Sequence, residues 1–174
     1  GQEKVEDKDL SVENLVSGMI SVIAHDKDNE NFSYYRNFVL SSDPHIVDKL
    51  NQAAIAKEQR KEFEFAEELF LSVYHLLPQN ASCVNLATLY SYLAVESRSK
   101  GEDERKWIKK VRETLEDGIE RFGEDEMILS ELASFEAYMG NLEEAKEYAE
   151  RFLSVAEEGD RKEEIRKMLK EIVF

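Results

Sequence analysis

Cysteine, proline and glycine are scarce in this 174-residue chain, with one, two and seven copies. A lone cysteine, Cys83, excludes an intramolecular disulfide and any multi-cysteine zinc site. Its neighbours Ala81, Val84 and Leu86 are apolar on the helical period, so Cys83 reads as a small buried hydrophobe. So little proline and glycine leaves too few turns for a many-stranded β fold. No apolar run approaches the ~20 residues of a membrane-spanning helix. Basic charge is also short: 23 Lys plus Arg stand against 38 Asp plus Glu, a formal net charge of -15. That balance repels phosphate backbones and anionic lipid, which argues against nucleic acid as the principal ligand.

Catalytic and metal signatures are missing as well. His25, His45 and His75 stand far apart, with no HExxH and no glycine-rich phosphate loop. His75 sits on an apolar helical side, where a partly buried, hydrogen-bonded imidazole is expected. The turn from Asp26 starts like a calcium loop, but Asn31 stands where the loop needs Gly and Asn37 where it needs Glu. Glu67-Glu68, Glu143-Glu144, Glu157-Glu158 and Glu163-Glu164 each have Lys or Arg nearby, as on the solvated face of a helix. Acid–base catalysis needs two carboxylates in different environments, and no pair is singled out. The expectation is a non-enzyme with no metal and no cofactor.

What the chain does have is charge and helical period. Charged residues make up 35%, as in long solvated helices and in proteins of hot environments. Pro44 and Pro78 lie 34 residues apart, each closing an apolar run, and Asp43-Pro44 reads as an N-cap and first helical residue. A 34-residue period is that of a two-helix repeat. The clearest unit carries Leu132-Ala133, then Gly140-Asn141-Leu142, then Glu144-Ala145. Ala133 and Ala145 are small where two helices must cross closely, and Gly140 can adopt the left-handed cap that ends the first helix. Ala53-Ala54 with Phe63, Ala66 and Phe70 give a second unit, and Leu86-Ala87, Tyr90, Ile108, Val111, Leu115 and Ile119 a third. Gly123 and Glu157, again 34 residues apart, close the last two units. An earlier unit places Leu15, Val16, Met19, Ile20 and Ile23 on one stripe and Phe32, Tyr35, Phe38 and Val39 on another.

These residues resemble the tetratricopeptide repeat family, most closely over 126–159, with Glu136 standing where the family usually has Tyr and Glu157 where it usually has Pro. The resemblance implies an all-α, antiparallel helix-hairpin solenoid with a C-terminal capping helix. A charged tail over 1–9 precedes one domain over 10–174. Its units are 13–46, 47–80, 81–125 with a charged insertion at 95–105, and 126–159, with the cap at 160–174. Ile165, Met168, Leu169 and Ile172 give that cap its apolar face.

The family binds a peptide or partner domain in a groove lined by first helices. Carried onto this chain, the groove residues are Asn51, Ile55 and Glu58, then Asn85, Thr88 and Tyr92, then Ser130, Ser134 and Tyr138. The family's basic clamp for a C-terminal carboxylate is missing, because Ser17, Asn51 and Ser130 occupy its positions. Asn side chains could bond a peptide backbone and Tyr could give flat contacts. The alternative is a groove that is shallow and unused, or filled by the chain's own terminal helix. Arg105, Lys106, Trp107, Lys109, Lys110 and Arg112 form the one strongly basic stretch, around the only Trp. They read either as an amphipathic helix with a solvated face or as a docking patch for an acidic partner or a membrane surface.

The expected role is therefore a protein-binding scaffold, with structural self-assembly as a homodimer as the rival. Membrane association would run only through a segment that this chain lacks. A cytoplasmic setting is expected, or an exported or anchored one if a segment precedes Gly1.

Overall fold

Apolar residues spaced at three and four, between turns of Gly, Asp and Asn, give helices throughout the computed structural model, which describes residues 16–173. Among the described residues every regular element is an α-helix. None is long and apolar enough to cross a membrane. The tail over 1–9, Leu15 and the last residue of the cap lie outside the described residues. Where the sequence suggests one domain, contacts divide the chain after Pro78 into two compact units.

In the first unit, α1 (residues 16–25) and α2 (Phe32–Ser42) precede a hairpin of α3 (Ile46–Gln59) and α4 (Phe63–Leu76). Met19, Ile23, Val39, Leu50, Val73 and Leu76 form its core, joined by Phe32 and Tyr35. The Arg36 guanidinium donates to the Leu76 carbonyl from Nε at 3.1 Å and Nη2 at 2.8 Å, satisfying an acceptor at the end of α4. His75 is hydrogen-bonded as expected, its Nδ1 donating to the Ile23 carbonyl at 2.6 Å. Three details differ from the sequence reading. Phe38 is exposed and stacks on Tyr34, because α2 turns Phe32, Tyr35 and Val39 inward. Only Ala54 of the Ala53-Ala54 pair is buried. Asp43 accepts from the His45 amide at 2.8 Å and closes a turn, so α3 starts at Ile46 rather than at Pro44.

The second unit contains the hairpins α5 (Asn80–Ser99) with α6 (Arg105–Phe122) and α7 (Glu126–Met139) with α8 (Leu142–Val155), then α9 (Asp160–Val173). Leu129, Ala133, Ala149, Phe152, Ala156 and Ile165 form a core that joins α9 to the second hairpin, as a cap should. Ala133 and Ala145 are fully buried, as their small size requires. Much of the charged insertion 95–105 is helical. Residues 95–99 continue α5, whose buried stripe runs through Tyr90, Leu93, Ala94 and Ser97, and Arg105 already opens α6.

All three hairpins turn in the same way. The first helix ends at a left-handed residue: Lys61 (φ 61°), Gly101 (φ 71°) or Gly140 (φ 83°). The next amide then reaches back five residues to a carbonyl, Glu62 to Lys57, Glu102 to Ser97 and Asn141 to Glu136, each at 2.9 Å. This is the Schellman cap. Lys61 takes a conformation that costs an L-residue about 1–2 kcal/mol. Lys61→Gly should therefore raise the urea-unfolding free energy by about 1 kcal/mol, and Gly140→Ala should lower it by about as much. Equal effects of opposite sign at the two turns are the expected result.

Candidate interaction surface

The groove residues inferred from the sequence fall into two groups, one in each unit. On α3, Asn51 is half-buried and its Oδ1 has no hydrogen-bond partner among the described residues, while Ile55 is exposed. Glu58 lies beside them, its carboxyl pushed up by burial. The other six belong to α5 and α7, where the fold does bring residues together. Asn80 Nδ2 donates to Asp125 Oδ2 at 2.7 Å, which links the N-terminal ends of α5 and α7. At the other ends the Arg98 guanidinium lies 5.7 Å from the Tyr138 ring centroid, and its Nη2 donates to Met139 Sδ. The two helices therefore run parallel. Asp125 also caps α7, accepting from the Met127 and Ile128 amides.

On this pair Asn85, Thr88 and Tyr92 are exposed on one face of α5, and Tyr138 is exposed on α7. Tyr92 is 43% accessible and Tyr138 56%. Ser130 and Ser134 are different. Ser130 is only 4% exposed, its hydroxyl donates to the Met127 carbonyl, and its own carbonyl accepts from Arg161 Nη2. Ser134 Oγ accepts from the same Arg161 nitrogen at 3.0 Å. The first turn of α9 thus covers the N-terminal half of α7, so Ser130 does not line an open groove. The rest of the α5–α7 face stays open.

The basic stretch is divided by the turn of its helix. Arg112 points inward: its Nε donates to Glu136 Oε1 at 2.5 Å and its Nη2 to Oε2 at 2.8 Å. Glu136 is 2% exposed and also accepts from Asn141 Nδ2 at 2.6 Å. Burial pushes the Glu136 carboxyl up, but the bonds from Arg112 and Asn141 and the Arg112 charge outweigh it, holding the group below the usual glutamate value. Trp107 stacks on Tyr90 at 6.1 Å, with Lys106 Nζ 4.2 Å and Lys110 Nζ 5.3 Å from its ring. Arg105 pairs with Asp103 at 2.8 Å and Lys109 with Glu113 at 3.6 Å, both on the surface. The former holds the Asp103 carboxyl down to about 2, chiefly through the side-chain hydrogen bond.

A cleft of about 450 Å³ opens beside this helix, lined by Arg98, Arg105, Lys109, Arg112, Glu113 and Glu116 together with Ile108, Met139 and Asn141. Sequence reasoning found Arg105, Lys109 and Arg112 but missed Arg98, Met139 and Asn141, which only the meeting of α5, α6 and α7 brings there. The signal for Glu136 was in view, since a Glu on the apolar stripe of a helix demands a cationic partner. Among the described residues no group of three or more His, Cys, Asp or Glu is placed to hold a metal ion. No protein-family model, curated protein or solved structure matches the chain.

Proposed function

We propose that this chain is a non-catalytic protein-interaction module of tetratricopeptide-like hairpins, and that it takes up a peptide or partner segment on the α5–α7 face. The observation that carries this reading is a parallel helix pair with an open side. Two tyrosines and two small polar side chains stand exposed on it while both helices bury their opposite stripes. Tyrosine gives a large contact area at little entropic cost, and Asn and Thr can bond an extended backbone.

The test combines Tyr92→Ala with Tyr138→Ala. Both rings are about half exposed, so the thermal midpoint should move little, while a co-purifying partner should weaken at least tenfold. A double variant that retains every partner at full affinity would sink the reading. Self-assembly is the rival. A dimer that persists on dilution in sedimentation velocity, and is lost with these two substitutions, would assign the same face to a second copy.

A further inference from the structure

We propose that Arg98 is a positioning residue of the α5–α7 face: held by Glu104, it fixes the Tyr138 ring in the orientation that a bound segment meets. This rests on the α5–α7 face being a binding surface. Three observations support it.

The first is how little else holds Tyr138. The residue is 56% exposed in the last turn of α7, just before the Gly140 cap. Among the described residues its hydroxyl has no hydrogen-bond partner. A ring so placed samples several rotamers, and ordering it on binding costs affinity. The Arg98 guanidinium, 5.7 Å from the ring centroid, selects among those rotamers before a partner arrives.

The second is how firmly Arg98 itself is held. Its Nε donates to Glu104 Oε1 at 2.9 Å and to Oε2 at 3.0 Å, and its Nη2 donates to Oε1 at 2.7 Å. Two planar groups paired in this way fix the plane of the guanidinium. Nη2 also donates to Met139 Sδ at 3.4 Å, on the residue next to Tyr138. The stem of Arg98 leaves α5 beside the buried Ser97, so its origin is as rigid as that helix.

The third is what Glu104 gives up. It stands at the N-cap of α6, where a side-chain oxygen can accept from the first-turn amides, yet it makes no such bond. Its carboxylate turns to Arg98 instead. The turn between α5 and α6 does not need that pair to close. Gly101 already closes it in the left-handed conformation, with the Glu102 amide bonded to the Ser97 carbonyl. What the pair adds is reach from the first hairpin of this unit to Tyr138 on the second.

The experiment has a spectroscopic arm and a binding arm, both on the whole chain. Fluorotyrosine labelling gives each Tyr a fluorine NMR signal, and Tyr138→Phe identifies that of Tyr138. The signal should lie away from that of free fluorotyrosine. Arg98→Gln and Glu104→Gln should each move it toward the free value, while Arg121→Gln, at the far end of α6, leaves it in place. Glu104→Gln retains the Arg98 charge, so its effect reports position. The binding arm uses peptides selected from a random library on the wild-type chain and kept where Tyr138→Ala abolishes binding. Arg98→Gln and Glu104→Gln should each weaken them about fivefold, and Arg98→Lys less than Arg98→Gln. A Tyr138 signal unmoved by Arg98→Gln, or peptide affinities within twofold of wild type in both Gln variants, would overturn the proposal. So would a lowered thermal midpoint with signal and affinity unchanged, which would make the pair a hairpin clamp. A library in which no peptide depends on Tyr138 would instead remove the reading of the face itself, whatever the fluorine spectra show.

Discussion

Replacing Arg112 with alanine is expected to lower the unfolding free energy at pH 7 by about 3 kcal/mol. The charge of Glu136 is buried, and the two Arg112 hydrogen bonds plus one from Asn141 are what hold it there. Removing the guanidinium leaves a buried carboxylate with a single amide donor. The figure sits at the low end of the range for a broken buried pair because the Arg112 side chain is 37% exposed. The pH dependence identifies the cause. In the wild-type chain the folded Glu136 carboxyl titrates below its ordinary value of 4.5. Its contribution is therefore complete above about pH 4.5, and is lost as pH falls through the folded value. In Arg112→Ala burial dominates, the folded carboxyl moves above its unfolded value, and the sign reverses. The variant should lose stability as pH rises through that raised value. Urea unfolding should thus show a wide gap between the two proteins at pH 7 and a narrow one near pH 4. A gap of equal width at both pH values would mean that lost packing, not the stranded charge, sets the cost. Arg112→Met with Glu136→Leu should recover most of the loss, because an apolar pair needs no partner.

The fold was legible in the sequence wherever it depends on period and punctuation. Leu132-Ala133, Gly140-Asn141-Leu142 and Glu144-Ala145 place two helices and the cap between them, and each of these residues bears on local backbone or on one close crossing. Lys61 shows the limit. Its left-handed conformation matches that of Gly140, yet Lys carries no signal for it. The charged insertion 95–105 shows a related limit. Its charges give no sign that α5 continues to Ser99, because the buried Ser97 that extends the α5 stripe is polar. Ser130 failed as a groove residue because sequence spacing places a side chain on a helix face but cannot say that Arg161 of α9 covers that face. The cleft beside α6 was half legible. A run of cations marks α6, but Arg98, Met139 and Asn141 lie 14 residues back and 27 and 29 residues on from Arg112, and only tertiary packing gathers them.

Gly118→Val is the second large effect, expected to cost about 3 kcal/mol. No turn requires this glycine. It lies buried within α6, where glycine itself costs about 1 kcal/mol relative to alanine, so packing must account for it. A Cβ at this position would come within 2.6 Å of Cys83 Sγ on α5 and 2.8 Å of Ile128 Cδ1 on α7. Three helices thus meet where one of them has no side chain. Cys83 cannot swing aside freely, because its Sγ donates to the Thr114 carbonyl, one turn before Gly118 on the same helix. Alanine would exchange improved helix propensity against this clash. Valine adds two further methyl groups with a restricted χ1 and has no such compensation. If the contact with Cys83 is the cause, Cys83→Ala should cost about 1 kcal/mol alone but restore stability when combined with Gly118→Val. Two destabilising substitutions would then give a protein more stable than the single Gly118→Val variant. Simple addition of the two losses in urea unfolding would instead place the strain on the Ile128 side of the crossing, where Ile128→Val should relieve it.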